Sequence, residues 1–184
     1  MSTWLWIAIV VIALIIVIGV IAAAMRSRRS RNLKERFGPE YDRVAADAPT
    51  KRDAESELRE REKRREEFDI RPLDPHDRDR YRTQWRDTQA EFVDEPATAV
   101  RRADALIQNV MRDRGYPVDD FETRSADLSV DHPSVVENYR AGHAIATANE
   151  QGNAGTEDLR QALMHYRALF DELIESHDRE EARR

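Results

Sequence analysis

Cysteine is absent from the 184-residue chain. That excludes a disulfide framework, a thiolate nucleophile and a Cys-ligated zinc site. Lysine is scarce too. Only Lys34, Lys51 and Lys63 carry an ammonium group, and arginine supplies the other cations, a bias of composition rather than of function. No segment shows sustained strand alternation or a hairpin turn signal, so nothing predicts a sheet. The phosphate-cradling loops G-x-x-x-x-G-K-[ST] and G-x-G-x-x-G are missing, as are H-E-x-x-H, the EF-hand loop and the G-x-S-x-G elbow. The Glu-x-x-His pair of di-iron bundles is missing as well. These absences predict no catalytic residue, no cofactor and no resident metal.

Charge is also missing from one whole stretch. Met1 to Met25, MSTWLWIAIVVIALIIVIGVIAAAM, holds no charged side chain. As a helix, Trp4 to Met25 spans roughly 33 Å, enough for a hydrocarbon core of about 30 Å. A helix at the surface of a soluble protein shows a polar face, and this one has none. Trp4 and Trp6 stand where an aromatic belt meets headgroups. The stretch is expected to be a transmembrane anchor over residues 1–25. Ala22-Ala23-Ala24 resembles a signal cleavage site, but the front lacks Lys and Arg and the apolar run exceeds a signal core.

The segment after the apolar run is strongly basic. Arg26, Arg28, Arg29, Arg31, Lys34 and Arg36 give residues 26–36 a charge of +5 after Glu35 is counted. The positive-inside rule then predicts a single-pass protein of the plasma membrane, N-terminus outside and C-terminal domain cytoplasmic; export of that domain is the alternative. The same six side chains suit anionic lipid headgroups, at about 1 kcal/mol each near the surface. Topology already explains the cluster, and residues 68–184 carry −9, so no nucleic-acid partner is expected.

Residues 26–50 read as a basic juxtamembrane segment and 51–71 as a charged helical linker. KRDAESELREREKRREEF, 51–68, has little apolar stripe beyond Leu58 and Phe68. Its i,i+4 pairs Glu55–Arg59, Glu57–Arg61 and Glu60–Arg64 favour a helix, and polarity all round predicts a solvated stalk about 27 Å long. From Pro72 amphipathic helices with clear stops begin. Asp74 caps the first, with Pro75 at its first position, and Tyr81, Trp85, Thr88 and Phe92 recur at 4, 3, 4. The next starts at Pro96, carries Val100, Ala103, Ile107 and Val110, and stops at Gly115 before Pro117. A short helix follows over Asp119 to Leu128. GNAG, 152–155, supplies a turn before a cap at Thr156, and the last helix runs Leu159, Leu163, Tyr166, Phe170, Leu173 at 4, 3, 4, 3. The fold class is therefore all-α: a transmembrane helix, a charged linker helix, then a bundle of about five short helices over 72–177 and a disordered charged tail over 178–184. The 3 and 4 spacings suit antiparallel bundle packing and equally a partner helix, as in a coiled coil.

DLSVDHPSVVENYRAGH, 127–143, looks most like chemistry, with Asp127, Asp131, His132, Glu137, Tyr139 and His143 close together. The expected role is a helix start. Either Asp131 or His132 caps with Pro133 in the first turn, or Ser134 and Glu137 form a capping box. Val136, Tyr139, His143 and Ala146 then make a stripe facing the core. Within one straight helix His132 and His143 lie about 16 Å apart, too far to share a zinc ion. His143 meeting His165 from the last helix remains an option that no spacing specifies. Asp74, His76, Asp77 and Asp79 tempt a metal reading too, yet acids in a first turn are what the helix dipole favours.

RFGPEYDR (36–43), DIRPL (69–73), GYPVDDFETRSADLSVDHPSVVENYR (115–140) and DLRQALMHYRALFDEL (158–173) resemble a family of bacterial membrane or secreted proteins of uncharacterised activity. The resemblance implies an N-terminal membrane helix, a charged segment, a helical C-terminal region and a bacterial source; it transfers no site. Three functions are expected to compete: a membrane-anchored interaction or scaffold module with an unknown protein partner, an enzymatic or metal-dependent domain using Tyr139, His143 and His165, and an envelope protein self-associating through its last helix.

Overall fold

A computed structural model describes the backbone of residues 3–181, without the side chains at 3, 5–11, 13, 15, 22, 23 and 176–181. The described residues form eight helices and no strand, so the fold is all-α. The chain divides into two units, Met1–Leu58 and Arg59–Arg184. The anchor expected over residues 1–25 falls largely on side chains outside the described set. Among the described residues no helix is long and apolar enough to cross a membrane.

In the first unit α1 (Thr3–Phe37) continues well past the apolar run. It ends at Gly38, whose positive φ of 49° turns the chain into α2 (Pro39–Asp47) with Pro39 in the first turn. The segment expected only as basic is thus mostly helical. A small core explains it: Leu33, Phe37, Tyr41, Val44, Ala54 and Leu58 are all buried. The last two belong to α3 (Lys51–Glu66), whose start Thr50 caps by accepting from the Asp53 amide at 3.2 Å. Tyr41 donates to buried Glu55 at 3.2 Å. Arg43 forks onto Glu40 at 3.1 and 3.0 Å.

The second unit takes the remainder of α3 with α4 (Pro75–Glu91), α5 (Pro96–Asp113), α6 (Phe121–Asp131), α7 (Val136–Glu150) and α8 (Thr156–Glu181). Asp74 caps α4, accepting from the Asp77 amide at 2.8 Å, with Pro75 behind it, as the sequence predicts. The α5 stripe Val100, Ala103, Ile107 and Val110 is buried, and so is every member of the α8 stripe. Those two helices pack on each other, α4 covers α5, and α7 lies along α8. Trp85 of α4 stacks on Phe170 of α8 with centroids 4.6 Å apart. Burial of each large aliphatic chain, such as Ile107, Leu169 or Leu173, contributes about 1.5–3 kcal/mol. Because the α8 stripe is used inside this core, it is not available for self-association.

Three local expectations are corrected. First, α6 runs to Asp131 rather than to Leu128, and Asp120 caps it by accepting from the Thr123 amide at 3.1 Å. His132 therefore ends α6 instead of starting α7; Pro133 lacks the N–H to continue the ladder. Neither expected cap forms: α7 begins at Val136, preceded by Val135 without a side-chain cap bond. Second, α8 starts without the Thr156 cap, and Asp158 reaches back to accept from the Gly155 amide at 2.8 Å. Third, α8 carries on to Glu181 through most of the segment expected as a disordered tail; residues 182–184 lie outside the described set.

Candidate functional site

The six cations expected at a membrane surface all project from α1 and all are exposed. At 3.6 residues per turn their positions fall all round the helix rather than along one stripe. Lys34 pairs with Asp42 at 3.2 Å and lies over the Tyr41 ring. Among the described residues Arg26, Arg28, Arg29 and Arg31 make no ion pair. A collar of this kind offers charge in every direction over about three turns of the helix.

Part of the collar is shaped. Arg26, Ser27 and Ser30 of α1 face Lys51, Arg52 and Glu55 of α3 across a groove of about 710 Å³ that reaches along α1 to Gly19. That is within the range of a small-molecule site. A second groove shares Ser27, Ser30 and Lys51 and adds Arg31 and Lys34, with Glu35. Five cations therefore face two acids. Glu55 is the deeper acid, and Tyr41 (3.2 Å) and Lys51 (3.8 Å) already engage its carboxylate. The sequence pattern places Lys51 and Arg52 on a stalk and gives no sign of a site there; the fold of α3 against α1 is what brings them to the collar.

The histidine constellation is not assembled. His132 closes α6 and His143 sits in α7, so the single-helix geometry expected for them does not apply. His143 stacks on Phe121 (centroids 3.6 Å, planes 11° apart). His165 contacts Asn138 at 2.9 Å through Nδ1. Tyr139 is fully buried, and its hydroxyl is enclosed without a hydrogen-bond partner, so no substrate reaches it. Among the described residues Asp74, His76 and Asp77 do bring three ligating atoms within 4.8 Å. Asp74 is engaged in capping, however, and Asp77 pairs with Arg80 at 2.8 Å.

The front of the 127–143 stretch serves structure by another route. Arg64 of α3 donates to Asp127 and to Asp119, both at 2.9 Å. Arg61 donates to Ser129 at 3.1 Å, and Arg65 pairs with Asp131. Asp131 also accepts from Tyr116 at 2.7 Å, and the Tyr116 hydroxyl lies 3.3 Å from His132, which lies 3.4 Å from Glu172. The expected Glu60–Arg64 pair is thereby replaced, and this half of the helix is no solvated stalk. Its cations find stronger partners on α6.

Asp127 is buried, and burial pushes its carboxyl up although Arg64 pulls it down. Truncating Arg64→Ala leaves that carboxylate unpaired. The expected loss is about 2 kcal/mol at neutral pH, reduced from a fully buried pair because Arg64 is partly exposed. A raised carboxyl contributes stability below its unfolded value and loses it as pH rises through the folded one. The Arg64→Ala penalty therefore shrinks on acidification, and adding Asp127→Asn recovers most of it. Urea unfolding at two pH values checks this; a pH-independent penalty contradicts it.

Four tyrosines titrate late. Burial, then the 2.6 Å bond to Asp113, pushes Tyr81 up to about 12. Burial first, then the Asp131 charge, pushes Tyr116 higher. Burial first, then the Asp104 charge, does the same for Tyr139 and Tyr166. Neither of the last two hydroxyls completes a well-formed hydrogen bond. The folded state thus favours the neutral phenols. That contribution is intact below the ordinary tyrosine value near about 10 and lost as pH rises through the folded values. In an alkaline absorbance titration Tyr81 is expected to ionise near pH 12, a step removed by Tyr81→Phe. The other three ionise only as helical signal disappears. Ionisation of all of them with the helices intact contradicts the packing described.

No family model, curated protein or solved structure matches this chain.

Proposed function

We propose that the chain is a single-pass membrane protein that presents its helical domain to a protein partner at the cytoplasmic face of a bacterial plasma membrane. Residues 4–25 form the anchor, with the N-terminus outside and the collar Arg26–Arg36 at the inner headgroups. One observation carries the reading. Nine large apolar side chains of α1, from Trp4 through Ile12, Ile16 and Ile21 to Met25, are half or more exposed, against only Val93 and Met164 among the described remainder. They surround the helix, and the collar begins where they stop. A helix apolar on every side needs a hydrocarbon solvent or a protein core, and no protein core covers this one among the described residues.

The interaction role is supported by the way the second unit is built. Tyr81, Trp85, Tyr116, Tyr139, Tyr166, Phe170 and His132 are committed to its buried core, and its acidic, arginine-rich surface offers recognition rather than a reaction centre. Alkaline extraction of membranes tests the anchor: the full chain stays with the bilayer. In-cell cross-linking from exposed positions of α4 or α8 tests the role. One reproducible adduct of fixed stoichiometry is expected, and a chain without an adduct from any exposed face contradicts the reading.

A further inference from the structure

We propose that the groove between α1 and the first turn of α3 is a site for one anionic phospholipid molecule, distinct from the diffuse attraction of the collar. The proposal rests on the anchor reading and adds to it a defined stoichiometry and two residues of α3.

Three features converge there. Arg26, Lys51 and Arg52 bring three cations from two helices to one place, against Glu55 alone. Ser27 and Ser30 line the same groove and carry hydroxyl donors, and a phosphate diester accepts both kinds of bond. The groove also has a direction. It extends from Arg26 back to Gly19, seven residues or about 10 Å along the helix toward the apolar run. Among the described residues a Cβ at Gly19 would meet no atom within 4 Å, so they leave that end open. A free phosphate would use only the charged end. A lipid uses both, with its headgroup among the cations and its acyl chains beside Gly19 and Val20. A general electrostatic attraction needs neither the α3 residues nor the groove.

The test is native mass spectrometry of the full chain released from nanodiscs of mixed phosphatidylglycerol and phosphatidylcholine. One retained phosphatidylglycerol per chain is expected. Lys51→Gln/Arg52→Gln, both exposed positions of α3, lowers that retention about 30-fold, on the basis of two direct charge-assisted headgroup contacts in the groove. Arg28→Gln/Arg29→Gln, which leaves the groove intact, lowers it threefold or less, and helical content of both variants is checked by circular dichroism. Excess inorganic phosphate leaves the lipid in place. Equal losses in the two variants, equal retention of phosphatidylcholine, or displacement by inorganic phosphate each overturns the site. The anchor is read separately by alkaline extraction of the same samples. A chain that stays embedded while Lys51→Gln/Arg52→Gln keeps its lipid removes only this proposal; a chain that alkali releases removes both.

Discussion

Gly115→Ala is expected to destabilise the second unit by about 3 kcal/mol, a sum of backbone strain and lost hydrogen bonds. Gly115 follows α5 with φ of 93°. Its amide donates to Arg112 and the next, Tyr116, to Met111, both at 2.9 Å, which is the two-bond closure of a Schellman motif. A side chain strains this conformation by about 1–2 kcal/mol. There is also no room for one, since a Cβ would lie 2.3 Å from the Asp69 carbonyl oxygen. Segment 69–73 must then move. It is tied here by the Arg71 amide, which donates to Arg114 at 2.8 Å, and by the Arg114 guanidinium, which donates to Arg71 and to Leu173 of α8. Gly152→Ala is the control. Its φ is 75°, but a Cβ there meets open space, so it loses only the backbone strain of about 1–2 kcal/mol. Urea unfolding of the full chain by circular dichroism separates the two. Equal losses contradict the contact with Asp69.

The largest effect is expected in the anchor. Leu14→Arg/Ile18→Arg places two cations near the middle of the apolar run, where each opposes insertion by about 2.5–3.5 kcal/mol. Both side chains are more than half exposed, so neither change disturbs a protein core. The wild-type chain is expected to resist alkaline extraction and the variant to move to the soluble fraction. Retention of the variant contradicts a spanning helix at these residues. Leu14→Phe/Ile18→Phe, equally apolar, is expected to remain with the membrane.

Much of the second unit is legible from its apolar period and punctuation. Asp74-Pro75, Pro96 and Gly115 mark helix ends with chemistry that acts within a few residues. The stripes of α5 and α8 declare the faces that become the core. The region from Asp119 to Val136 misleads because several residues compete for one cap. Asp120 wins at the front of α6 with a bond to the Thr123 amide. Pro133 then separates two helices where the pattern suggests that one begins. The linker misleads for a different reason: polarity all round signals solvent only while no partner is near. Arg61, Arg64 and Arg65 find Ser129, Asp127 and Asp131 more than sixty residues away, and no local period reports a contact of that range. Lys51 and Arg52 are hidden by the same limit. The collar itself is legible because it is contiguous; the groove is not, because it needs two helices side by side.

Topology in intact cells tests the central claim most directly. A reporter or protease site is placed after residue 184, and the side of the membrane that sees it is determined, with alkaline extraction in parallel. The expected result is a C-terminus accessible only from the cytoplasm, on a chain that remains embedded. A C-terminus accessible from outside, or a chain released from the membrane, contradicts it. The cations of Arg26–Arg36 would then face no inner headgroup, and the partner would have to be sought outside the cytoplasm.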